Sequence, residues 1–149
     1  MVRRMLEDYI KKLPTFARES EKRAYLYYLE IDYNGIFYYK IGVTVDLRNR
    51  LFKLMYVPDR ERLSIAILDY IVLPLNRAYF YEDEIIGRNK EYRIHRRDFI
   101  VSTGNSEVFK KDVIGCDWGE RYYFEYSDKG IKEEREKIPS KVNNRNVKK

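Results

Sequence analysis

The most constraining stretch of this chain is residues 24–43, AYLYYLEIDYNGIFYYKIGV. Two aromatic and aliphatic runs flank Asp-Tyr-Asn-Gly at 32–35. Asn-Gly is the dipeptide best suited to the positive φ angles of a tight hairpin turn. Runs rich in Tyr, Ile and Val on either side of such a turn form strands. The stretch is therefore expected to be a β-hairpin, with Ala24–Ile31 as the first strand and Ile36–Val43 as the second.

The pattern then changes period. After Gly42, Thr44 or Asp46 can cap a helix that carries Leu47, Leu51, Leu54 and Met55 on its apolar side. YVPDRER breaks it. LSIAILDYIVL, residues 63–73, is continuous and β-branched and suits a buried strand ended by Pro74. Asn76 can cap a second helix over about 77–87, with Ala78, Tyr81, Ile85 and Phe80 inward. The order is strand, strand, helix, strand, helix. Before it, Val2, Met5, Leu6, Tyr9, Ile10 and Leu13 recur at helical steps and are stopped by Pro14. This N-terminal helix is expected to pack on the main body or on a second copy of the chain. Beyond Gly87, EYRIHRRDFIV (91–101) suits a strand or an extended arm, and STGNSEVF (102–109) a turn into a short helix. GCDWGERYYFEY (115–126) fits no element. From Asp128 the chain lacks aromatics and holds eight Lys or Arg against four Asp or Glu, as expected of a mobile basic tail.

Composition bounds the chemistry. At 149 residues the chain is expected to form one domain with arms, long enough to bury a core without staples. A single cysteine, Cys116, excludes an internal disulfide, and with one histidine no Cys/His zinc set can form. Cys116 is expected to be a small buried hydrophobe. No segment approaches ~18 consecutive apolar residues, so a soluble, cytoplasmic protein of a reducing compartment is expected. The formal charge of +6 favours an anionic partner such as nucleic acid. The fifteen tyrosines fit half-buried strand faces or stacking on a ligand.

Several residues carry the next inference. Tyr25-Leu26-Tyr27 lies on the first strand and Lys40-Ile41-Gly42 on the second, followed by Val-Thr-x-Asp-Leu. Arg50 comes eight residues after Gly42. Ala78-Tyr79-Phe80-Tyr81-Glu82 opens the second helix, and Gly104-Asn105-Ser106-Glu107-Val108-Phe109 lies later. In this order they resemble the motifs of the GIY-YIG nuclease superfamily over roughly residues 24–109. The K-I-G-V-T form is similar to a branch common in viruses and mobile elements. The resemblance implies an α+β fold, a small mixed or antiparallel three-stranded sheet flanked by helices. Residues 1–23 would precede this core, 110–127 would be an aromatic extension, and 128–149 a flexible tail.

The resemblance further implies a DNA endonuclease with a Mg²⁺ (or Mn²⁺) ion on Glu82. Tyr27 would activate water, Lys40 would share the catalytic site, and Arg50 would stabilise charge. Phosphodiester cleavage needs such parts: an activated water, a charge sink and support for the leaving oxygen. An ammonium at Lys40 would lower the Tyr27 phenol's pKa, and Gly42 would let backbone approach DNA. Arg50 presents a fork of donors, and Glu82 an oxygen ligand for a hard cation. Arg48, Arg93, His95, Arg96, Arg97 and Asn105 are candidate nucleic-acid contacts.

Each residue also has a plainer reading. Tyr27 can be strand packing, Lys40 an edge-strand charge, and one of Arg48 and Arg50 a solvated helix charge. Asp83 and Glu84 compete with Glu82, which the spacing from Ala78 favours. Glu107 can be a carboxylate at a helix terminus. The first motif has Tyr25 where the family has glycine, and the second has lysine for tyrosine. A catalytically inactive nucleic-acid-binding module, or a viral protein that holds a host factor, is the alternative. DNA is the expected partner, with RNA not separated from it, and dimerisation would run through the N-terminal helix.

Overall fold

The computed structural model describes residues 5–14, 20–56, 60–94, 107–125 and 138–144. The elements are α1 (Met5–Ile10), β1 (Arg23–Tyr33), β2 (Ile36–Thr44), α2 (Leu47–Met55), β3 (Leu63–Pro74), α3 (Leu75–Arg88), β4 (Glu107–Phe109) and β5 (Tyr123–Glu125). The class is α+β, as expected, and the β-β-α-β-α order holds. The sheet is larger than the expected three strands and wholly antiparallel, in the order β4-β2-β1-β3-β5.

The hairpin turns where Asn-Gly was read. Asn34 and Gly35 both take positive φ, 54° and 86°, and the Gly35 N–H donates to Asp32 Oδ1 at 2.9 Å. This turn sets the β1–β2 register, in which Tyr27 lies opposite Gly42 and Leu29 opposite Lys40.

Both faces of the sheet are covered, which is why β1 reads as an unbroken apolar run with no alternation. On one face Tyr25, Tyr27, Leu29 and Ile31 pack with Leu47, Leu51, Leu54 and Met55 of α2. On the other, Ala24, Leu26 and Tyr28 pack with Leu6 and Ile10 of α1 and with Ala78, Tyr81 and Ile85 of α3. β3 serves both faces through a bulge. Tyr28 pairs with Asp69 but Leu29 with Ile67, so Leu68 is the extra residue. Leu63 and Ile65 therefore join the α2 face, while Ile71 joins the α3 face.

Local capping differs between the helices. Asp46 caps α2, its carboxylate accepting from the Asn49 N–H at 3.1 Å. Asn76, expected to cap α3, does not. Pro74 occupies that position, and Asn76 instead pairs with Ser20, accepting from its N–H (2.8 Å) and donating to its hydroxyl (3.1 Å). The Leu75 N–H is met by the Lys22 carbonyl at 2.7 Å, which removes the need for a side-chain cap. The apolar residues of α1 turn onto the chain's own sheet, and Leu6 N–H donates to Asp69 Oδ2 at 2.9 Å.

Three later segments depart from the sequence reading. Residues 107–109, expected to enter a helix, form β4 against Tyr39–Ile41. The unplaced aromatic stretch supplies β5, paired with Ser64–Ala66. Part of the expected mobile tail is packed: Ile138 is fully buried, and Val142 joins the α2-side core. This segment is held by backbone pairing, Val142 N–H to Val45 O (2.7 Å) and Arg48 N–H to Pro139 O (2.9 Å). Cys116, expected to be buried, is half-exposed. Among the described residues no helix is long and apolar enough to cross a membrane.

The docking of residue 138 is directly testable. Ile138→Ala should lower unfolding free energy by about 2–5 kcal/mol in urea titration, whereas a mobile tail would leave it unchanged.

Candidate active site

Tyr27 sits at the centre of the candidate site, and its place follows from the hairpin. It is fully buried on the α2 face, directly opposite Gly42. A Cβ built on Gly42 would fall inside the phenol, colliding with Cζ and the hydroxyl of Tyr27. Gly42 was expected to clear a path for DNA. Its empty side-chain position is instead filled by the tyrosine, so the glycine is required by the protein's own packing. The ring thus runs from β1 across β2 and ends beside Gly42. β4 pairs only with Tyr39–Ile41, so its ladder stops just before that point.

Two charged groups reach the buried hydroxyl. Burial is the largest cause that pushes the Tyr27 pKa up, to about 12 against the ordinary 10.0. The Arg50 guanidinium, on α2, opposes this through its charge and its N–H, and the Glu82 carboxylate on α3 adds to the rise. Arg50 stands close but short of ordinary hydrogen-bond geometry, since the Tyr27 hydroxyl has no bonded partner among the described residues. A guanidinium on α2 and a carboxylate on α3 therefore both act electrostatically on the Tyr27 phenol. Arg50 and Glu82 are each half-buried, open to solvent on one side.

Lys40 corrects the sequence reading twice. It is no edge-strand charge, because β4 lies outside β2 and the side chain is 2% exposed. Nor does its ammonium make Tyr27 more acidic on balance. Nζ lies 6.0 Å from the centroid of the Tyr27 ring, at the outer reach of a cation–π contact. Arg50 exerts the acidifying pull, and burial outweighs it.

The remaining candidates divide. Arg48 points elsewhere: its Nε and Nη2 donate to the Ile138 carbonyl at 3.2 and 2.9 Å. Its guanidinium binds the C-terminal segment to α2. Arg93 is half-buried and its backbone bridges to Phe109 beside β4. His95, Arg96, Arg97 and Asn105 lie outside the described residues, as does the Glu107 side chain, whose backbone forms β4 and no helix terminus. Asp83 is exposed and Glu84 pairs with Arg88 at 3.3 Å, so Glu82 is the α3 carboxylate that acts on Tyr27.

A second polar centre was not anticipated. Glu30, 4% exposed, accepts from the hydroxyls of Tyr39 (2.8 Å) and Tyr123 and pairs with Arg121 at 3.3 Å. Burial and this carboxylate push Tyr39 up to about 12 and Tyr123 up as well. On the same face Asp112 accepts from the Tyr28 hydroxyl (2.8 Å) and Trp118 Nε1 (2.7 Å). Tyr123, a partner of Glu30, lies 93 positions away, whereas Asp112 also accepts from the nearby Ile114 and Gly115 N–H groups at 3.1 and 3.0 Å. Among the described residues no three His, Cys, Asp or Glu stand together as a metal cluster.

Comparison with protein-family models, with curated proteins and with solved structures finds no match for this chain.

Two measurements probe this packing. Gly42→Ala should destabilise the fold by roughly 1–3 kcal/mol through overpacking. Combined with Tyr27→Ala it should cost less than the sum of the two, because the clash is then gone. Alkali supplies the second. The folded Tyr27 pKa lies above its unfolded value, so its contribution is fully present below pH 10 and lost as pH rises towards 12. Urea titrations should show the parent losing on the order of 2–3 kcal/mol more than Tyr27→Phe across that window.

Proposed function

We propose that the chain is a metal-dependent endonuclease of GIY-YIG type that hydrolyses DNA phosphodiester bonds. The observation that carries this reading is that Arg50 and Glu82 both act electrostatically on the Tyr27 phenol, whose buried hydroxyl lies beside Gly42. A core has no need of a guanidinium and a carboxylate drawn to one buried hydroxyl, while phosphoryl chemistry uses all three.

The roles follow from position. Arg50, open to solvent on one side, offers planar donors to a phosphate and stabilises the charge that grows on it. It also restrains the rise of the Tyr27 pKa. Tyr27 is the proton acceptor for the attacking water. With a pKa near 12 its basic form is scarce at neutral pH, so proton transfer gains with alkalinity. Lys40 adds positive potential behind the ring. Glu82 is the residue that would hold Mg²⁺ or Mn²⁺, whose chemistry there is to polarise a phosphoryl oxygen as a Lewis acid. A half-buried carboxylate with one open side fits a hard cation that keeps most of its waters.

One observation favours the inactive binding module instead. Tyr27 is fully enclosed, so a water must enter before the phenol can act on it. The two readings separate by experiment. Supercoiled plasmid with Mg²⁺ should be nicked by the parent, and Glu82→Ala should abolish nicking. Arg50→Ala should slow it about 10²–10³-fold. The parent rate should climb about tenfold per pH unit between pH 7 and 9, and Tyr27→Phe should lose that slope. A protein that shifts plasmid on a gel, with affinity falling as salt rises, yet never nicks it is the binding module.

A further inference from the structure

Residues 138–144 hold the start of α2 at Val45, Asp46 and Arg48. The Val142 N–H donates to the Val45 carbonyl at 2.7 Å, and Lys141 bridges to Asp46, the cap residue. Arg48 is held twice, by its backbone N–H on the Pro139 carbonyl (2.9 Å) and by its guanidinium on the Ile138 carbonyl. Asn144 fixes the far end of the segment, accepting from the Arg23 N–H at 3.0 Å and donating to the Arg23 carbonyl at 3.3 Å. Arg50 follows two residues after Arg48, and its own N–H donates to the Asp46 carbonyl at 3.0 Å. The backbone that carries Arg50 therefore starts from a residue with which the segment pairs.

The plain account is a tail that docks by burying Ile138 and Val142. Burial of two aliphatic side chains explains why the segment adheres, but it has no directional preference. Hydrogen bonds do, and these fall on the first turn of α2. A helix of nine residues is too short to keep its shape without outside support. Its Leu47, Leu51, Leu54 and Met55 keep it on the sheet, while its first-turn N–H groups need acceptors that the helix itself lacks. Asp46 supplies one to Asn49, and Pro139 supplies the one for Arg48. The two arginines lie about 200° apart around the helix. Arg48 thus holds the segment on one side while Arg50 acts on Tyr27 from another.

We propose that Arg48 is a positioning residue of the nuclease, and that residues 138–144 are the anchor through which it sets Arg50 against the phosphate. This deepens the nuclease reading and rests on it. Arg48 acts through Arg50 and makes no phosphate contact of its own. Removing its guanidinium releases the Ile138 carbonyl, loosens the first turn and lets Arg50 drift from the place where charge develops. Phosphoryl chemistry is steeply sensitive to such a displacement.

The test is a double-mutant cycle on plasmid nicking, in the full chain with Mg²⁺. Arg48→Ala should lower kcat about 10–10²-fold with KM unchanged, because the loss falls on the transition state. In an Arg50→Ala background the same substitution should change kcat by less than about twofold, since the residue it acts through is gone. Arg48→Lys, which keeps one charged donor for the Ile138 carbonyl, should restore part of the rate. Asn144→Ala, at the far end of the segment, should lower kcat in the same Arg50-dependent way with no arginine removed. Urea titration fixes conditions under which every variant is folded, so that lost rate is not lost protein. An equal fractional loss with and without Arg50, or no loss at all, overturns the proposal and leaves the nuclease reading standing. So does a loss confined to KM with a shallower salt slope, the mark of a direct phosphate contact. A parent that never nicks overturns both.

Discussion

The site depends on one steric pairing, a tyrosine whose ring fills the side-chain space of a glycine on the neighbouring strand. Tyr27 and Gly42 face each other only in the register imposed by the two-residue turn at Asn34-Gly35. A slip of one residue would bring a side chain opposite the ring and send the phenol's neighbours to the wrong face. With the register kept, the hydroxyl lies buried against Gly42 of β2. Arg50 and Glu82 then act on Tyr27 although they belong to helices on opposite sides of the sheet. The close contact within the hairpin thus fixes the phenol on which both charged residues act.

The buried charge elsewhere has a different purpose. Glu30 is held by two tyrosine hydroxyls and Arg121, and Asp112 by Tyr28 and Trp118. Each carboxylate joins the sheet to the segment between β4 and the end of β5. That segment has two large aliphatic residues, Val113 and Ile114, of which Ile114 is buried. Satisfied polar networks supply what its small apolar area cannot, and they specify one arrangement of it. The tyrosine excess is thereby explained in part. Tyr28, Tyr39 and Tyr123 bury their rings and bring their hydroxyls to acids.

The hairpin, α2, β3 and α3 were legible because their signals are local: a turn dipeptide, an apolar stripe, a β-branched run. Tyr27, Arg50 and Glu82 were legible as candidates through the resemblance, and in the fold Arg50 and Glu82 both act on the Tyr27 phenol. What sequence alone misjudged depends on contacts across the chain. Asn76 has the chemistry of a cap, but Ser20, 56 positions away, engages it first. Lys40 looks like an edge charge until β4, formed by three residues in an otherwise turn-like stretch, covers its strand. Residues 138–144 look unfit to fold because only Ile138 and Val142 are apolar, and both find the core. Gly42 was rightly marked as a close approach, but the approaching group is internal.

The clasp between Arg48 and the Ile138 carbonyl spans 90 positions. Long-range contacts of this kind form late, after shorter loops have closed. As the chain leaves the ribosome, the first turn of α2 waits without its last backbone partners until residues 138 and 139 have been made. A nascent chain can therefore own a finished hairpin and every candidate residue up to Glu82 before the helix that carries Arg50 has been fastened. Fastening that helix is in this sense an act of a segment made some 90 positions later.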